Sequence, residues 1–507
     1  MSALSEQEIL RREKKASLEK LGINPYPSSH FAGNTTAEAI SVGYRANPEK
    51  FKNVMLAGRI MTRRIMGAAS FAVLQDDTGQ VQLYLHRDRL CPGEDKTLYN
   101  QVFKRLLDIG DIIGVQGHVF ITKTDALAIS VSQLTLLTKS LKPLPVVKEV
   151  QDEEGTRVYD AFTDPEQRYR QRYVDLIVNP EVKAIFRKRA LLIKTIRGHF
   201  DGQDYLEVET PILQPLYGGA SARPFTTYHN TLEMPLYLRI ANELYLKRLV
   251  VGGFKGVYEF AKDFRNEGMS RFHNPEFTQL EVYVAYRDYR WMMDELEVII
   301  EKVALALHGT RQVQVGGHVI DFKRPWKRLT MFEVIKQFTQ IDISDMQEEA
   351  LREVAKKLNI ALPDHAGKGK IIDEIFGSEC EPHLIQPTLI TDYPIAMSPL
   401  AKQHGDNADL VERFELICNG KEVANAFSEL NDPIVQRARF EAQKQLALRG
   451  DEEAMALDED FLQALAYGMP PTAGMGIGID RLTMLMTNVQ SIQEVIFFPQ
   501  MRRAKEV

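Results

Sequence analysis

The sequence predicts an α+β protein of two unequal parts: a small N-terminal β-barrel, then a larger antiparallel sheet flanked by helices and carrying a helical insertion. Three observations predict it. Residues 51–148 alternate apolar and polar side chains (Val54, Leu56, Ile60; Phe71, Val73; Val81, Leu83, Leu85) over a length that suits five short strands. Beyond residue 181, strand-like runs recur at 235–240, 257–265, 278–286, 411–418, 421–427 and 474–479, too close together for a mainly parallel βαβ pattern. A chain of 507 residues with 44% hydrophobic and 26% charged residues can bury two or three cores, which excludes disorder and fibre.

In chain order, Ser5 and Glu8 form a capping-box pattern opening a charged helix that Gly22, Pro25 and Pro27 close, within a helical extension over residues 1–50. Residues 51–145 are the predicted barrel. The stretch 51–148 carries 13 Lys+Arg against 8 Asp+Glu, although the whole chain has a net charge of −6. That segregation argues against a protein gripping nucleic acid over its whole surface and leaves a local basic domain. Asp77-Thr78-Gly79-Gln80 reads as a turn; pairing Asp77 with Gln80 sets Gln75 opposite Gln82 and puts Phe71, Gln82 and Tyr84 on one face. With Arg59, Arg63 and Arg64 nearby, such a face suits stacking and reading of single-stranded bases; Phe71 in the barrel core with solvated arginines is the alternative.

Residues 146–180, with Pro and mixed charge clusters, read as a linker, and 181–507 as the larger domain. That domain opens on a helix with Val182, Ile185, Phe186, Ile193, Ile196 and Phe200 at helical spacing, ended by Gly202 before a strand at Tyr205-Leu206-Glu207-Val208 and Pro211. Residues from about 325 to 405 read as the helical insertion. Cys91, Cys380 and Cys418, without C-x-x-C spacing, support neither a disulfide framework nor a Cys-based zinc site and fit a reducing cytoplasm. No apolar run approaches the roughly 20 residues of a membrane span, and the N-terminus is charged where a signal peptide needs an apolar core. A soluble cytoplasmic protein is expected.

Chemistry concentrates in four segments. The polar stretch from Phe264 to Phe277, between two strand-like runs, reads as a long hairpin loop in which Arg265 offers a planar fork to an anion and Arg271 and His273 add donors. After it, Glu281 and Tyr283 share a strand face and could hold an ammonium group. Asn419-Gly420 marks a hairpin tip that pairs Cys418 with Lys421 and Ile417 with Glu422, so Glu415 and Glu422 share a face; two such carboxylates suit a magnesium ion carried in with a nucleotide. Strict alternation leaves Asn425 and Glu429 on the other face unless a bulge intervenes. The run Gly474-Met475-Gly476-Ile477-Gly478-Ile479-Asp480-Arg481 lacks the third Gly of a dinucleotide fingerprint; its glycines read best as close packing, and Arg481 could lie on an adenine ring.

Together the helix–strand–Pro211 segment, the loop from Phe264 to Glu281 and GIGIDR resemble the three motifs of class II aminoacyl-tRNA synthetases, in order and at suitable separations. RNEG…HNPEF, ANELYLKRL, FSELND and PPTAGMGIGIDR are similar to the bacterial-type lysyl-tRNA synthetase family, and GRIMTRRIMG…SF…LQDDTGQVQLY to its anticodon-binding OB-fold. The resemblance implies a homodimer that joins lysine and ATP into lysyl-adenylate and passes the lysyl group to tRNA(Lys). It implies Arg265 as the catalytic residue, on the lysine carboxylate and α-phosphate; Gly219 and Glu243 at the α-ammonium; Glu281, Tyr283 and Glu429 at the ε-ammonium; and Asn425 at the carboxylate. Glu267, His273, Phe277 and Arg481 would place ATP, Glu415 and Glu422 would hold Mg2+ on its phosphates, and Arg64, Phe71 and Gln82 would read the anticodon. Three positions depart from the family pattern: Ala68 stands where a lysine is expected and Gln133 where a glutamate is. In the loop, the order Arg271-Phe272-His273 displaces the usual basic residue. Glu281 and Glu429 argue against the aspartyl and asparaginyl relatives, whose substrates need cationic or amide partners, and the barrel argues against a protein-lysylating paralogue.

Overall fold

The computed structural model describes residues 4–28, 30–145, 148–152, 155–159, 162–363, 366–448 and 455–503. It divides into two compact units, Met1–Phe162 and Thr163–Val507.

In the first unit, strands β1 (Val54–Met66), β2 (Ala69–Gln75), β3 (Gln80–His86), β4 (Ile112–Ile121) and β5 (Leu127–Thr138) close into a barrel in the order β1-β2-β3-β5-β4. The alternation predicted from sequence sends Leu74, Leu83, Ile113 and Ile129 inward, where each is fully buried. Helix α1 (Glu6–Lys20) carries the expected capping box, with Ser5 and Glu8 bonding reciprocally. It is fixed to the barrel by Arg11, which donates to Ser140 O and Ile109 O, and by Lys14, which reaches Asp108 at 2.6 Å; Lys139 holds the same carboxylate at 2.6 Å and Asp111 at 2.9 Å.

One register differs from expectation. Gln75, not Asp77, is the last residue paired across β2 and β3: it faces Gln80, Val73 faces Gln82, and Phe71 faces Tyr84. Asp76 causes the shift, because its carboxylate accepts from Thr78 N and Gly79 N and holds a four-residue loop where a two-residue turn was expected. The shift is by two residues, so the predicted sharing of a face survives.

The second unit is built on an eight-stranded sheet: β6 (Leu206–Glu207), β7 (Gly256–Phe264), β8 (Glu276–Ala285), β9 (Lys327–Thr330), β10 (Thr388–Pro394), β11 (Leu410–Cys418), β12 (Lys421–Ser428) and β13 (Thr472–Gly478). Their spatial order is β9-β10-β11-β12-β13-β8-β7-β6. All inner pairings are antiparallel, and β6 and β9 are added at the edges in parallel. The run expected as a strand at 235–240 falls instead in a separate three-stranded sheet, over Met234–Leu238. Helices α2 (Pro180–Asp201), α4 (Tyr289–His308) and α5 (Ile479–Thr487) cover one face of the main sheet, with Ile196, Phe200, Leu296, Ile300 and Leu482 packed on Leu280, Val282, Leu416, Met475 and Ile477. Helix α3 (Glu243–Val251) lies against β7 and β8.

Residues 163–180, expected as the end of a linker, form two short helices of the second unit. Arg172 among them is fully buried, donating to the carbonyls of Phe497 and Gln493 at 3.1 and 2.7 Å. The region expected as an insertion begins and ends on strands of the main sheet, β9 and β10. Between them lie helices Met331–Thr339, Glu348–Lys357 and Lys368–Glu379, which build a core of their own.

Candidate active site

Because side chains alternate along a strand, the odd-numbered residues of β8 that face away from the helices, Gln279, Glu281 and Tyr283, line a cleft of about 1100 Å³. Opposite them across β13 stand Gly478, Gly476 and Gly474. The reading of these glycines as close packing is refined: they form the cleft floor. A Cβ on Gly474 would fall 2.5 Å from the Tyr283 ring and against the Glu429 carboxylate, so a side chain there would displace both.

The hairpin β11–β12 supplies the remaining acids. Ile417 faces Glu422 and Cys418 faces Lys421, as the Asn-Gly tip requires; then a bulge at Val423 changes the pairing so that Leu416 faces Ala424 and Glu415 faces Asn425. The extra residue restores Asn425, Phe427 and Glu429 to the side that carries Glu415 and Glu422.

Three carboxylates in this cleft are deeply buried: Glu243 at 6%, Glu281 at 3% and Glu429 at 1% exposure. Glu243 begins α3, and Gly219, in left-handed backbone at φ 87°, packs on it: a Cβ added there would lie 3.1 Å from that of Glu243. One turn along α3, the fully buried Lys247 ammonium meets Glu243 at 2.5 Å and also contacts Glu429. Among the described residues no cation pairs with Glu281; it accepts from Tyr283 Oη and Gln279 Nε2, each at 3.0 Å. Burial first, then the charges of Asp263 and Glu243, push its carboxyl well above the usual range, so a cation placed next to it would be held strongly. Behind it, Glu259 is fully engaged by Arg239, Asn242 and Thr210, all within 2.8 Å.

At the other end of the cleft lie the groups suited to an anion. Arg265, at the base of the β7–β8 loop, sits over the Phe277 ring at 5.1 Å, with its Nε buried and without a hydrogen-bond partner. His273 lies between Ser270 Oγ (2.8 Å) and Arg481 Nη2 (3.2 Å); burial and Arg481 lower its pKa, which favours the neutral ring. Arg481 also donates to Glu422 at 3.0 Å, so both flank one end of the loop, whereas Glu267 is exposed within it. Glu415 is paired with Arg413, and burial together with Glu422 raises its carboxyl to about 7. Of the residues that sequence placed at the amino acid and nucleotide, all but Glu415 and Glu429 line this one cleft; those two lie beside it, Glu415 across from Asn425 and Glu429 buried against the Gly474 position.

Sequence reasoning missed Gln279, Lys247 and Arg413. Arg413 stacks on Tyr393 at 4.4 Å and donates to Asn425 Oδ1 at 3.0 Å and Ser398 Oγ at 2.7 Å. The i,i+4 spacing of Lys247 from Glu243 was the available signal for one, and the two-residue spacing of Arg413 from Glu415 for the other.

On the barrel, Arg64, Phe71 and Gln82 lie on neighbouring strands of one outer wall. Phe71 is half-buried outside the core, and its ring starts an aromatic row with Tyr84 (5.3 Å) and Phe120 (a further 5.8 Å). Arg59 and Arg63 do not flank it as free cations: they donate to the carbonyls of Gly110 and Leu107 at 2.7 and 2.6 Å. Ala68 and Gln133 are exposed.

A family model described as tRNA synthetases class II (D, K and N) matches residues 164–502, and one for an OB-fold nucleic acid binding domain matches residues 54–137. The chain is a class II tRNA synthetase. The lysine–tRNA ligases of Porphyromonas gingivalis (strain ATCC BAA-308 / W83) and Christiangramia forsetii are each 57% identical to this synthetase, over 99% and 100% of its length and 86% and 88% of theirs. That of Azobacteroides pseudotrichonymphae is 54% identical over 99% of both chains. The barrel is thus the OB-fold of this class, and the eight-stranded sheet its catalytic fold.

Since the Gly474 position is pressed between Tyr283 and Glu429, Gly474→Ala in this synthetase should raise the amino-acid KM at least tenfold while leaving the ATP KM within about twofold. Steady-state ATP–pyrophosphate exchange with each substrate varied in turn checks this.

Proposed function

We propose that this synthetase ligates L-lysine to tRNA(Lys) through a lysyl-adenylate. One observation carries the reading: three buried carboxylates share the cleft with one buried ammonium, beside a guanidinium whose Nε has no partner. That is a receptor for a molecule with two cationic groups and one anionic group, a description that among the standard amino acids fits lysine and arginine. The names of the relatives, lysine–tRNA ligases at 54–57% identity, support lysine.

In this reading Glu243 and Gly219 take the α-ammonium, Glu281, Tyr283 and Glu429 the ε-ammonium, and Asn425 and Arg265 the carboxylate. A carboxylate oxygen of lysine attacks the α-phosphorus of ATP in line, the bond to the β-phosphate oxygen breaks, and pyrophosphate leaves. Arg265 stabilises the charge that develops on the α-phosphate, and Glu267, His273, Phe277 and Arg481 hold the nucleotide. The ribose 3′-hydroxyl at the end of tRNA then attacks the lysyl carbonyl and AMP leaves.

Among the described residues no group of three or more His, Cys, Asp or Glu is placed to hold a metal ion by itself. Glu415 and Glu422 still fit Mg2+ brought in with ATP, because Mg2+ commonly takes one or two carboxylates plus phosphate oxygens, and the raised Glu415 carboxyl is one a cation would stabilise. Such ions would neutralise phosphate charge. Arg64, Phe71 and Gln82 are proposed to read the anticodon.

A cytoplasmic homodimer is the remaining part of the proposal. No described helix is long and apolar enough to cross a membrane. Leu206 on the edge strand β6, with Ile212, Leu213 and Leu216 beyond Pro211, is exposed and apolar, as a subunit interface would be.

Exchange over the standard amino acids should respond to lysine alone. Glu281→Gln should raise the lysine KM roughly 10- to 150-fold, matching a lost charge-assisted bond of about 1.5–3 kcal/mol, with the ATP KM little changed; an unaltered lysine KM would refute the assignment. Phe71→Ala should raise the tRNA KM in aminoacylation by about 1–3 kcal/mol of lost stacking and leave exchange and melting unchanged, since Phe71 lies outside the barrel core. Sedimentation should give a dimer burying roughly 2,000 Å² or more; a fully active monomer contradicts it.

A further inference from the structure

Lys247 is a cation packed against acids that the proposed mechanism gives to the substrate. Its ammonium is fully buried, meets Glu243 at 2.5 Å on its own helix and contacts Glu429 beyond the end of β12; the rings of Phe427 and Phe461 enclose it at 5.5 and 6.0 Å. The two carboxylates it joins are those assigned to opposite ends of lysine, Glu243 to the α-ammonium and Glu429 to the ε-ammonium. A single charged group therefore ties together the two receptors between which the substrate must fit.

We propose that Lys247 is a positioning residue that sets selectivity for the length of the diamino acid, by bridging Glu243 and Glu429 and holding them at a fixed separation. The inference rests on the lysine reading given above. The other charged or titratable groups facing this pair are Glu281 and Tyr283 from β8 and Arg413 from β11. Burial drives both carboxyls toward the protonated form, and the charge of Glu243 adds to it for Glu429; the Lys247 ammonium is the main charge opposing that for each of them. Without it, each carboxyl would regain its charge only as pH rises, and like-charge repulsion would widen the gap once both had done so. A wider and softer gap discriminates poorly between diamino acids differing by one methylene, because a methylene misfit is a small penalty unless the two ends are held rigidly.

The test uses the full-length enzyme with Lys247→Met, which keeps the length of the side chain and removes its charge. ATP–pyrophosphate exchange is measured with lysine and with ornithine, one methylene shorter, from pH 6.5 to 8.5, alongside the wild type. Expected are a folded enzyme with a lowered melting temperature, as loss of a buried ion pair requires, an ATP KM close to wild type, a lysine KM raised at least tenfold and falling as pH rises, and a preference for lysine over ornithine in kcat/KM reduced at least tenfold. An unchanged preference, or a parallel loss toward lysine and ATP, overturns the inference. If Lys247→Met does not fold, Lys247→Ala is assayed with ethylammonium added: recovery of the preference supports the role, and recovered melting without it overturns the role. A wild type that fails to activate lysine would instead overturn the substrate reading and this inference with it, whereas active wild type with an unaffected variant removes the inference alone.

Discussion

An unpaired carboxylate buried in a protein costs several kcal/mol, and the second unit is arranged around that constraint. Its cleft gathers acids from four elements: Glu243 from α3, Glu281 from β8, Glu415 and Glu422 from the β11–β12 hairpin, and Glu429 just after it. Lys247 answers two of them, Arg413 and Arg481 answer two more, and Arg239 satisfies the deeper Glu259. Glu281 alone has only a phenol and an amide. The unevenness is informative, because the place where charge is least compensated is the place to which the proposed mechanism brings a cation.

That arrangement needs a stiff frame, and the frame is apolar. One face of the sheet is sealed by α2, α4 and α5 through a continuous core, so the opposite face can carry polar groups without loosening the strands. The OB-fold shows the same division on a smaller scale, with aliphatic side chains inside the barrel and an aromatic row along its outer wall. In each unit, period-two alternation separates the residues that hold the fold from those available to a ligand.

That separation explains how much was legible in the sequence. The strands, the capped first helix and the faces of Phe71, Gln82, Glu281 and Tyr283 follow from local pattern, and the Asn-Gly tip fixed the hairpin pairing of Ile417 with Glu422. What local pattern does not contain was missed. The β2–β3 register depended on Asp76 capping its own loop, and the embedding of Arg172 depended on carbonyls more than 300 residues away. Apart from its i,i+4 spacing from Glu243, nothing local distinguishes Lys247 from the other lysines of the chain; the contact with Glu429 exists only in tertiary structure. Arg59 and Arg63 looked free because backbone acceptors leave no trace in a sequence pattern.

The bulge at Val423 carries a consequence for how this gene can change. Upstream, the two-residue tip at Asn419-Gly420 sets the pairing of Cys418 with Lys421 and is itself bonded to the carbonyls of Ile385 and Leu384. Downstream, every position to Glu429 takes its orientation from that one extra residue. Losing Val423 would turn Asn425 and Glu429 toward the helices and bring Ala424 and Ala426 into the cleft, inverting substrate face and core in one step. Descendants of this chain can therefore exchange side chains along β12 one at a time, but they cannot shorten or lengthen it between the bulge and Glu429.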